Sequence, residues 1–457
     1  MRPMLLLALV LLAAPGLGHT APLTADEAVK IALQKNSSVI NAEASVLSAR
    51  SGLWSAYSGV VPSVSGDYSI QNTKLDPNGD LQAIQFGSST LFYRTRSFEQ
   101  TNKSPSLSAS WSVLDLSNWS QLSSARQSMR GARLSKQATR NDIALEARRR
   151  FYGVVRAIRL AEVASSSLKL ARDDERRVKA LYEVGSVSKS DLLKARVRTS
   201  QSQLDSLLSN HGIISARISL ATLLTVPESD MAEVDTTLSG TTRTFEMATV
   251  LSEASAARPD LKASELNVRA AQAGLNAARF QRLPSVRLSG SLDYSTRTRT
   301  QSQRDFYKDS TGTTLFGVGR QDTETKSDPS RSAALFLSIP IFDGFQTDSR
   351  IAAARANLLR ARATRDALVR SLEGEVRLTL LGYQEATERE DLARQTLASA
   401  AENLNLVQQK YNVGSATILD LIDSQVQLQR AQSDLVSALA DIRVAEAAVD
   451  RVRGKAE

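Results

Sequence analysis

Cysteine is absent from the 457-residue chain, and only 2 histidines occur. The first absence excludes disulfide frameworks, zinc ribbons, iron–sulfur clusters, thiol nucleophiles and a lipid-anchored cysteine. The second leaves nothing from which to build a multi-histidine metal site or a histidine-based triad. Aromatic residues make up 5% of the chain, with 3 Trp, and there are 11 prolines; Ala, Ser, Leu, Arg and Gln dominate, a helix-forming vocabulary. At 42% hydrophobic the chain falls below the globular norm of about 45–50%, which argues against one thick core. There is no phosphate loop ending in Lys-Ser/Thr, no Gly-x-Ser-x-Gly and no His-Glu-x-x-His, and His211 stands alone in a helical pattern. The expectation is a protein with no catalytic residues, no resident metal and no cofactor. The net charge of +9 is spread through mixed runs such as Asp173-Asp174-Glu175-Arg176-Arg177. Such runs read as solvated helix faces, not as a nucleic-acid surface.

What is present begins with a leader. Arg2 precedes an apolar run from Met4 to Ala14, broken by Pro15, Gly16 and Gly18. This is the pattern of a secretory signal peptide over 1–18, with cleavage between 18 and 21. No later stretch holds 18 consecutive apolar residues, so the mature chain is expected to leave the cytoplasm without a transmembrane helix.

The remainder is written twice. Leu181-Tyr182-Glu183-Val184-Gly185-Ser186 reappears as Lys410-Tyr411-Asn412-Val413-Gly414-Ser415, an offset of 229. Asp191-Leu192 matches Asp420-Leu421 at the same offset, and Val61-Pro62-Ser63-Val64 matches Leu283-Pro284-Ser285-Val286 at a slightly smaller one. Two repeats are therefore expected, 22–243 and 244–457. Each is read as a helix (24–60 and 244–283) stopped by Pro62 or Pro284, two strands, a very long helix, a Gly turn and a shorter helix. The strands, at 64–72, 105–114, 286–295 and 332–341, alternate apolar and small polar residues, as transmembrane strands do. A soluble hairpin is the other reading of that alternation. The segments 72–104 and 295–331 read as long polar loops. The long helices, 118–183 and 347–412, each span roughly 100 Å at 1.5 Å per residue; the helices after the turns cover 190–224 and 417–452. In the last of these, Leu421, Leu428, Leu435, Ile442 and Val449 alternate with Ser424, Ala431, Ala438, Ala445 and Val452. That is a coiled-coil seam of large and small residues, and Gln425, Gln427, Gln429 and Gln432 are expected on its water-facing sides. Trp54, Tyr57, Trp111 and Trp119 cluster near the helix–strand junctions, suited to a membrane interface or to core packing.

This ordered set resembles the TolC family of outer-membrane channel proteins over essentially the whole mature chain. The resemblance rests on the two tip motifs around Gly185 and Gly414, the strand starts at Pro62 and Pro284, and Ile339-Pro340-Ile341-Phe342-Asp343-Gly344. It implies a mainly α protein with a small β part. Three chains would form an α-helical barrel of long hairpins, continuous with a 12-stranded outer-membrane β-barrel to which each gives four strands. The implied function is passive exit of small molecules or unfolded proteins, in partnership with a periplasmic adaptor and an ABC or proton-driven inner-membrane transporter. A periplasmic adaptor or a pore-less coiled-coil protein are the alternatives. The implied adaptor contacts are Val184, Gly185, Ser186, Val413, Gly414 and Ser415. Asp420 and Asp423, three apart on one helix face, match the family's acidic entrance rings, where a divalent cation would block; a solvated pair at a helix start is the plainer reading. Asp191 and Tyr411 match two members of the family's entrance latch. The third, often Arg, falls at Ala416, and Lys189 is a candidate replacement. The missing lipid-anchor cysteine leans toward a secretion or general type.

Overall fold

A computed structural model describes residues 22–75, 82–86, 89–93, 97–238, 243–303, 305–308, 314–316 and 320–455; the expected signal peptide lies outside them. The chain divides into two compact units, each drawing on both halves of the sequence. One takes Met1–Ala49, Ser128–Val268 and Ala361–Glu457; the other takes Arg50–Gln127 and Arg269–Arg360.

The first unit is helical. Helix α1 (Ala25–Lys35) starts in a capping box: Thr24 Oγ accepts from the Glu27 amide, and the Glu27 carboxylate accepts from the Thr24 amide. Each bond satisfies a donor that the first helical turn leaves orphaned. The expected single helix over 24–60 is broken at Asn36. Its side-chain amide donates to the Leu223 carbonyl at 3.0 Å, and its oxygen accepts from the Ser38 amide to start α2 (Ser37–Ser58). The second expected helix, 244–283, divides likewise into α5 (Met247–Ala257) and α6 (Pro259–Phe280). There Pro259 takes the first helical position, where its missing N–H costs nothing. The long helices are close to expectation: α3 (Leu116–Glu183), α4 (Lys189–Leu224), α7 (Gln346–Asn412) and α8 (Ile418–Val452).

Helix lengths agree between the halves: α1 and α5 have 11 residues each and α2 and α6 have 22 each. The helix-end residues Thr225 and Gly454 both take the left-handed conformation, at φ 55° and 78°. The cores are thin and built from small residues. Ala28, Ala144, Ala147, Val154 and Leu224 form one cluster; Val250, Ala254, Val376, Ile442 and Val449 form another. On α8 the seven-residue seam accounts for most of the burial: Leu421, Ser424, Ala431, Ala438, Ile442, Val449 and Val452 are buried, Leu428, Leu435 and Ala445 are half-buried, and Ile418, Gln425, Ala440 and Ala447 are buried beside it. Gln425 departs from expectation. It lies four residues from Leu421, beside the seam, and is buried against α3 instead of facing water.

The second unit carries the long strands β1 (Ser63–Leu75), β4 (Ser97–Leu114), β5 (Ser285–Gln303) and β8 (Arg320–Ser338), hydrogen-bonded antiparallel in the order β1-β4-β5-β8. They run well into the segments expected as polar loops. Those segments also hold β2 (Gln82–Phe86), β3 (Ser89–Tyr93), β6 (Asp305–Lys308) and β7 (Thr314–Phe316), which form a second antiparallel sheet. In the outer parts of β5 and β8, Thr and Ser alternate with charged residues, as in Thr296-Arg297-Thr298-Arg299, so no apolar period marks them as strands. At its other end β8 stops at Ser338, short of the expected 341, because Pro340 cannot donate to a ladder.

Strand register sorts the side chains cleanly. Ser63 faces Ser110, Val64 faces Ala109, and Leu107 faces both Gly66 and Leu292; Leu288 lies between Trp111 and Leu335. One face thus collects Val64, Tyr68, Leu107, Trp111, Leu288, Leu292, Leu335 and Leu337. The other is a serine ladder with hydroxyl pairs Ser63–Ser110, Ser65–Ser108 and Ser291–Ser332 at 2.8–2.9 Å. The apolar face is open, with Leu335 69% and Leu337 63% exposed. At the junction the Trp111 indole donates to the Val60 carbonyl at 3.0 Å. Asp115 caps α3 by accepting from the Ser117 and Asn118 amides.

Candidate functional site

The two helical hairpins end in turns of the same construction. After α3, the Gly185 amide donates to Tyr182 O at 3.0 Å and the Ser186 amide to Leu181 O at 2.8 Å. After α7, Gly414 and Ser415 repeat these bonds to Tyr411 O and Lys410 O at 3.1 and 2.8 Å. This pairing satisfies the last helical carbonyls and needs a left-handed residue just past the helix. Both glycines sit at φ 79°. A Cβ at either would meet nothing within 4 Å, so backbone conformation, not space, demands glycine. Val184 and Val413, at 73% and 77% exposed, stand at the crest beside exposed Ser186 and Ser415.

Each turn then starts the next helix with a hydroxyl–carboxylate cap. The Ser188 hydroxyl donates to the Asp191 carboxylate at 2.7 Å and accepts from the Asp191 amide. Thr417 donates through both its hydroxyl and its amide to Asp420 Oδ2, at 2.7 and 2.8 Å. These bonds hold both carboxyls below the ordinary aspartate range, Asp191 with further help from Lys194 at 3.3 Å. Lys194, one turn along the same helix, is the cation on Asp191; Lys189 forms no part of that pair. Asp423 is exposed and accepts from the Gln427 amide at 2.7 Å. Asp420 and Asp423 thus share an exposed helix start, one bound back to its own cap and the other to the next turn.

Below the turns the hairpins meet. Val178, Leu192, Ala195, Ile418 and Leu421 form a buried cluster against which Tyr411 packs. Burial raises the Tyr411 hydroxyl above its usual value, the charges of Asp174 and Asp191 add to the rise, and Arg177 opposes it. Tyr411 packs on the cluster that holds Leu192, the residue after Asp191, while half-buried Ala416 supplies no charge. The inner polar contacts join residues expected to face water, Asp174, Gln425 and half-buried Gln429, to Ser167 and Arg198, which the sequence left unmarked. Gln425 donates to the buried Asp174 carboxylate at 2.5 Å, and Arg198 donates to Ser167 Oγ and Gln429 Oε1 at 3.0 and 2.8 Å. Burial pushes the Asp174 carboxyl up, against the pull of Gln425 and Arg177. A signal for Asp174 did exist: it continues the three-and-four spacing of buried Ala161, Ala164, Ala171 and Val178. Its partner, however, lies 251 residues away, beyond the reach of any local pattern.

Comparison with known proteins agrees with this geometry. The outer membrane efflux protein family matches residues 28–226 and 250–455. The outer membrane protein TolC of Escherichia coli is 20% identical over 73% of this chain and 66% of its own length. Among solved structures, the Campylobacter jejuni CmeC outer membrane channel superposes with a TM-score of 0.75 at 15% identity, covering 94% of this chain and 86% of that one. The outer membrane protein VceC of Vibrio cholerae superposes at 0.72 with 16% identity, covering 94% and 96%. The alternatives of an adaptor or a pore-less coiled coil give way to this match. The chain belongs to the outer membrane efflux protein family, whose members are TolC-type channels of the Gram-negative outer membrane and not enzymes.

Proposed function

We propose that three copies of the chain assemble into one passive exit duct, crossing the outer membrane through the long strands and the periplasm through the helical hairpins. The observation that carries this reading is the sheet β1-β4-β5-β8. It has an open apolar face, a hydroxyl-lined opposite face and free edges at β1 and β8. Lipid tolerates no open edge, and four strands are too few to close. Three copies supply twelve, an even number within the range of known barrels. The halves 22–243 and 244–457 act as two structural repeats, each giving one hairpin and one pair of long strands. The tips at Val184–Ser186 and Val413–Ser415 are the contact for a periplasmic adaptor, which links the duct to an inner-membrane transporter. The cargo is small molecules or unfolded protein.

In this reading Asp420 and Asp423 ring the periplasmic opening, three copies of each converging on the axis, and hinder anions while attracting cations. Asp420 is held ionised by Thr417, and Asp423 accepts from Gln427. The test is conductance in planar bilayers. Asp420→Ala with Asp423→Ala should weaken block by multivalent cations and reduce cation selectivity, leaving assembly intact. Unchanged block and selectivity would make the two residues ordinary helix-start carboxylates.

A further inference from the structure

The register of the long sheet separates charge as well as polarity. On the apolar face, Tyr68 stands opposite Pro105 and Tyr294 opposite Pro329. One rung nearer the helices, Leu107 faces Leu292, and Leu292 faces Arg331. One rung further out, Lys103 lies between Ile70 and Thr296. Two exposed cations therefore share the face that carries Val64, Leu288 and Leu335. The acidic residues at this height are sorted the other way. Asp67, Asp293 and Asp328 alternate onto the hydroxyl-lined face, where Ser291 donates to Asp293 at 2.6 Å. Among the described residues the apolar face holds one carboxylate, Glu99. It lies opposite Lys74 near the far end of the sheet and accepts from Asn72 at 3.0 Å. Lys103 and Arg331 have no hydrogen-bond or ion-pair partner among the described residues. A neighbouring copy brings none at its β1 edge either, since β1 presents Val64, Gly66, Tyr68, Ile70, Asn72 and Lys74 to that face.

A cation on the lipid side of a barrel strand is costly at mid-bilayer and nearly free at the interface. The height of these two fits the interface. From Leu337 to Arg331 β8 rises roughly 20 Å, most of the roughly 25 Å apolar band of a barrel. The tyrosines on the next rung mark the same boundary, because the ring is apolar and its hydroxyl polar. The helices join the sheet at the Ser63 and Ser338 ends, so this boundary is the outward one. Here the surface is hollow. Pro105, Leu107, Leu292, Tyr294, Pro329 and Arg331 are among the residues around a depression of about 370 Å³.

We propose that this hollow seats a phosphate-bearing lipid headgroup of the outer leaflet, with Arg331 and Lys103 taking phosphate oxygens from opposite ends. The proposal rests on the membrane-barrel reading above and adds a lipid of defined chemistry to it. Arg331 offers a planar fork that holds two phosphate oxygens, and Lys103 a point charge on a flexible stem. Their backbones are two strands and two rungs apart, roughly 16 Å. The long side chains therefore lean in from either side, stems on the apolar surface and charges at the headgroup. The acyl chains run down the same face over Leu292, Leu288 and Leu335. The seat is complete within β4, β5 and β8 of one chain.

The probe is lipid A carrying both phosphates, titrated into the purified full-length protein in detergent and followed by native mass spectrometry, beside the same lipid with its phosphates removed. The phosphorylated lipid should bind roughly thirtyfold more tightly, the combined effect of two cations at a lipid surface. Lys103→Gln with Arg331→Gln should abolish that preference, and Arg331→Gln alone should reduce it to roughly fivefold. Lys74→Gln, on the same face but outside the hollow, should leave it unchanged. Each variant should keep the helical circular dichroism of the parent; if the double variant does not, Arg331→Gln alone decides. Equal binding of the two lipids by the parent would overturn the proposed seat. So would a preference that survives the loss of both cations, or one that disappears with Lys74. A protein that is soluble without detergent and takes up neither lipid would instead overturn the barrel reading on which the seat rests.

Discussion

The two helix breaks, at Asn36 in the first half and Arg258 in the second, meet the same structural demand with different chemistry. Both sit between an 11-residue and a 22-residue helix, and both lie against the end of a long hairpin helix. At the first break one neutral amide spans the gap to Leu223 O. At the second, the Arg258 guanidinium, 5% exposed at its side chain, binds Asp260 at 2.6 Å and Glu375 at 2.5 Å. Glu375 is shared with Arg451, which also holds Asp142 at 2.8 Å. The helix ends differ in step: left-handed Thr225 lies at the neutral break, and left-handed Gly454 at the ionic one. A Cβ on Gly454 would stand 3.2–3.3 Å from the Ala257 and Arg258 backbone, so the tighter approach is the one that requires glycine. A repeat conserves the geometry of a corner, and each copy is free to choose the groups that satisfy it.

The contrast can be broken most severely at the ionic corner. Arg258→Ala leaves partly buried Asp260 without its cation and Glu375 with Arg451 alone, and should destabilise the chain by about 3 kcal/mol, read as a drop in the denaturation midpoint followed by helical circular dichroism. Asn36→Ala leaves one buried carbonyl without its donor and should cost about 1–2 kcal/mol in the same assay. Equal losses at the two sites would mean that the ionic network adds nothing to the corner. Thr225→Gly tests the conformational half of the contrast: relieving a β-branched residue in the left-handed region should stabilise by about 1 kcal/mol. Gly454→Ala should do the reverse. A destabilised Thr225→Gly variant would show that the threonine side chain supports the corner.

The smallest expected effect lies at the tips, where Asp174 and its repeat counterpart Asn403 differ in charge. The folded state raises the Asp174 carboxyl above 3.8, so it binds its proton more tightly than the unfolded chain does. Its contribution is therefore fully present below the ordinary aspartate value and is lost as pH rises through the raised one. Across that window the Asp174 contribution to stability should fall in the parent. Asp174→Asn should flatten the fall; an unchanged slope would place its origin elsewhere.

The long helices were legible because their apolar spacing persists over many turns, and α3 and α7 begin within two residues of expectation. Gly185 and Gly414 were legible because a left-handed turn residue has few substitutes. The breaks at Asn36 and Arg258 were not, since a polar residue at a helix surface looks the same whether it is solvated or caps the next helix. Pro259 was a usable signal, hidden by its tolerance at a first helical position. The extended parts of β1, β4, β5 and β8 escaped notice where Thr–Thr and Thr–Ser pairs, such as Thr298–Thr325, replace the apolar alternation. The tip residues Asp420 and Asp423 both lie on the exposed start of α8, but the bond from Thr417 that fixes the Asp420 carboxylate emerged only with the turn itself.

The assembly of three chains into one duct is tested most directly by the native mass of the protein extracted in detergent from outer membranes. The expected result is a single species with the mass of three chains, found in the outer-membrane fraction and lost from solution when detergent is removed. A species with the mass of one chain, soluble without detergent, would contradict it.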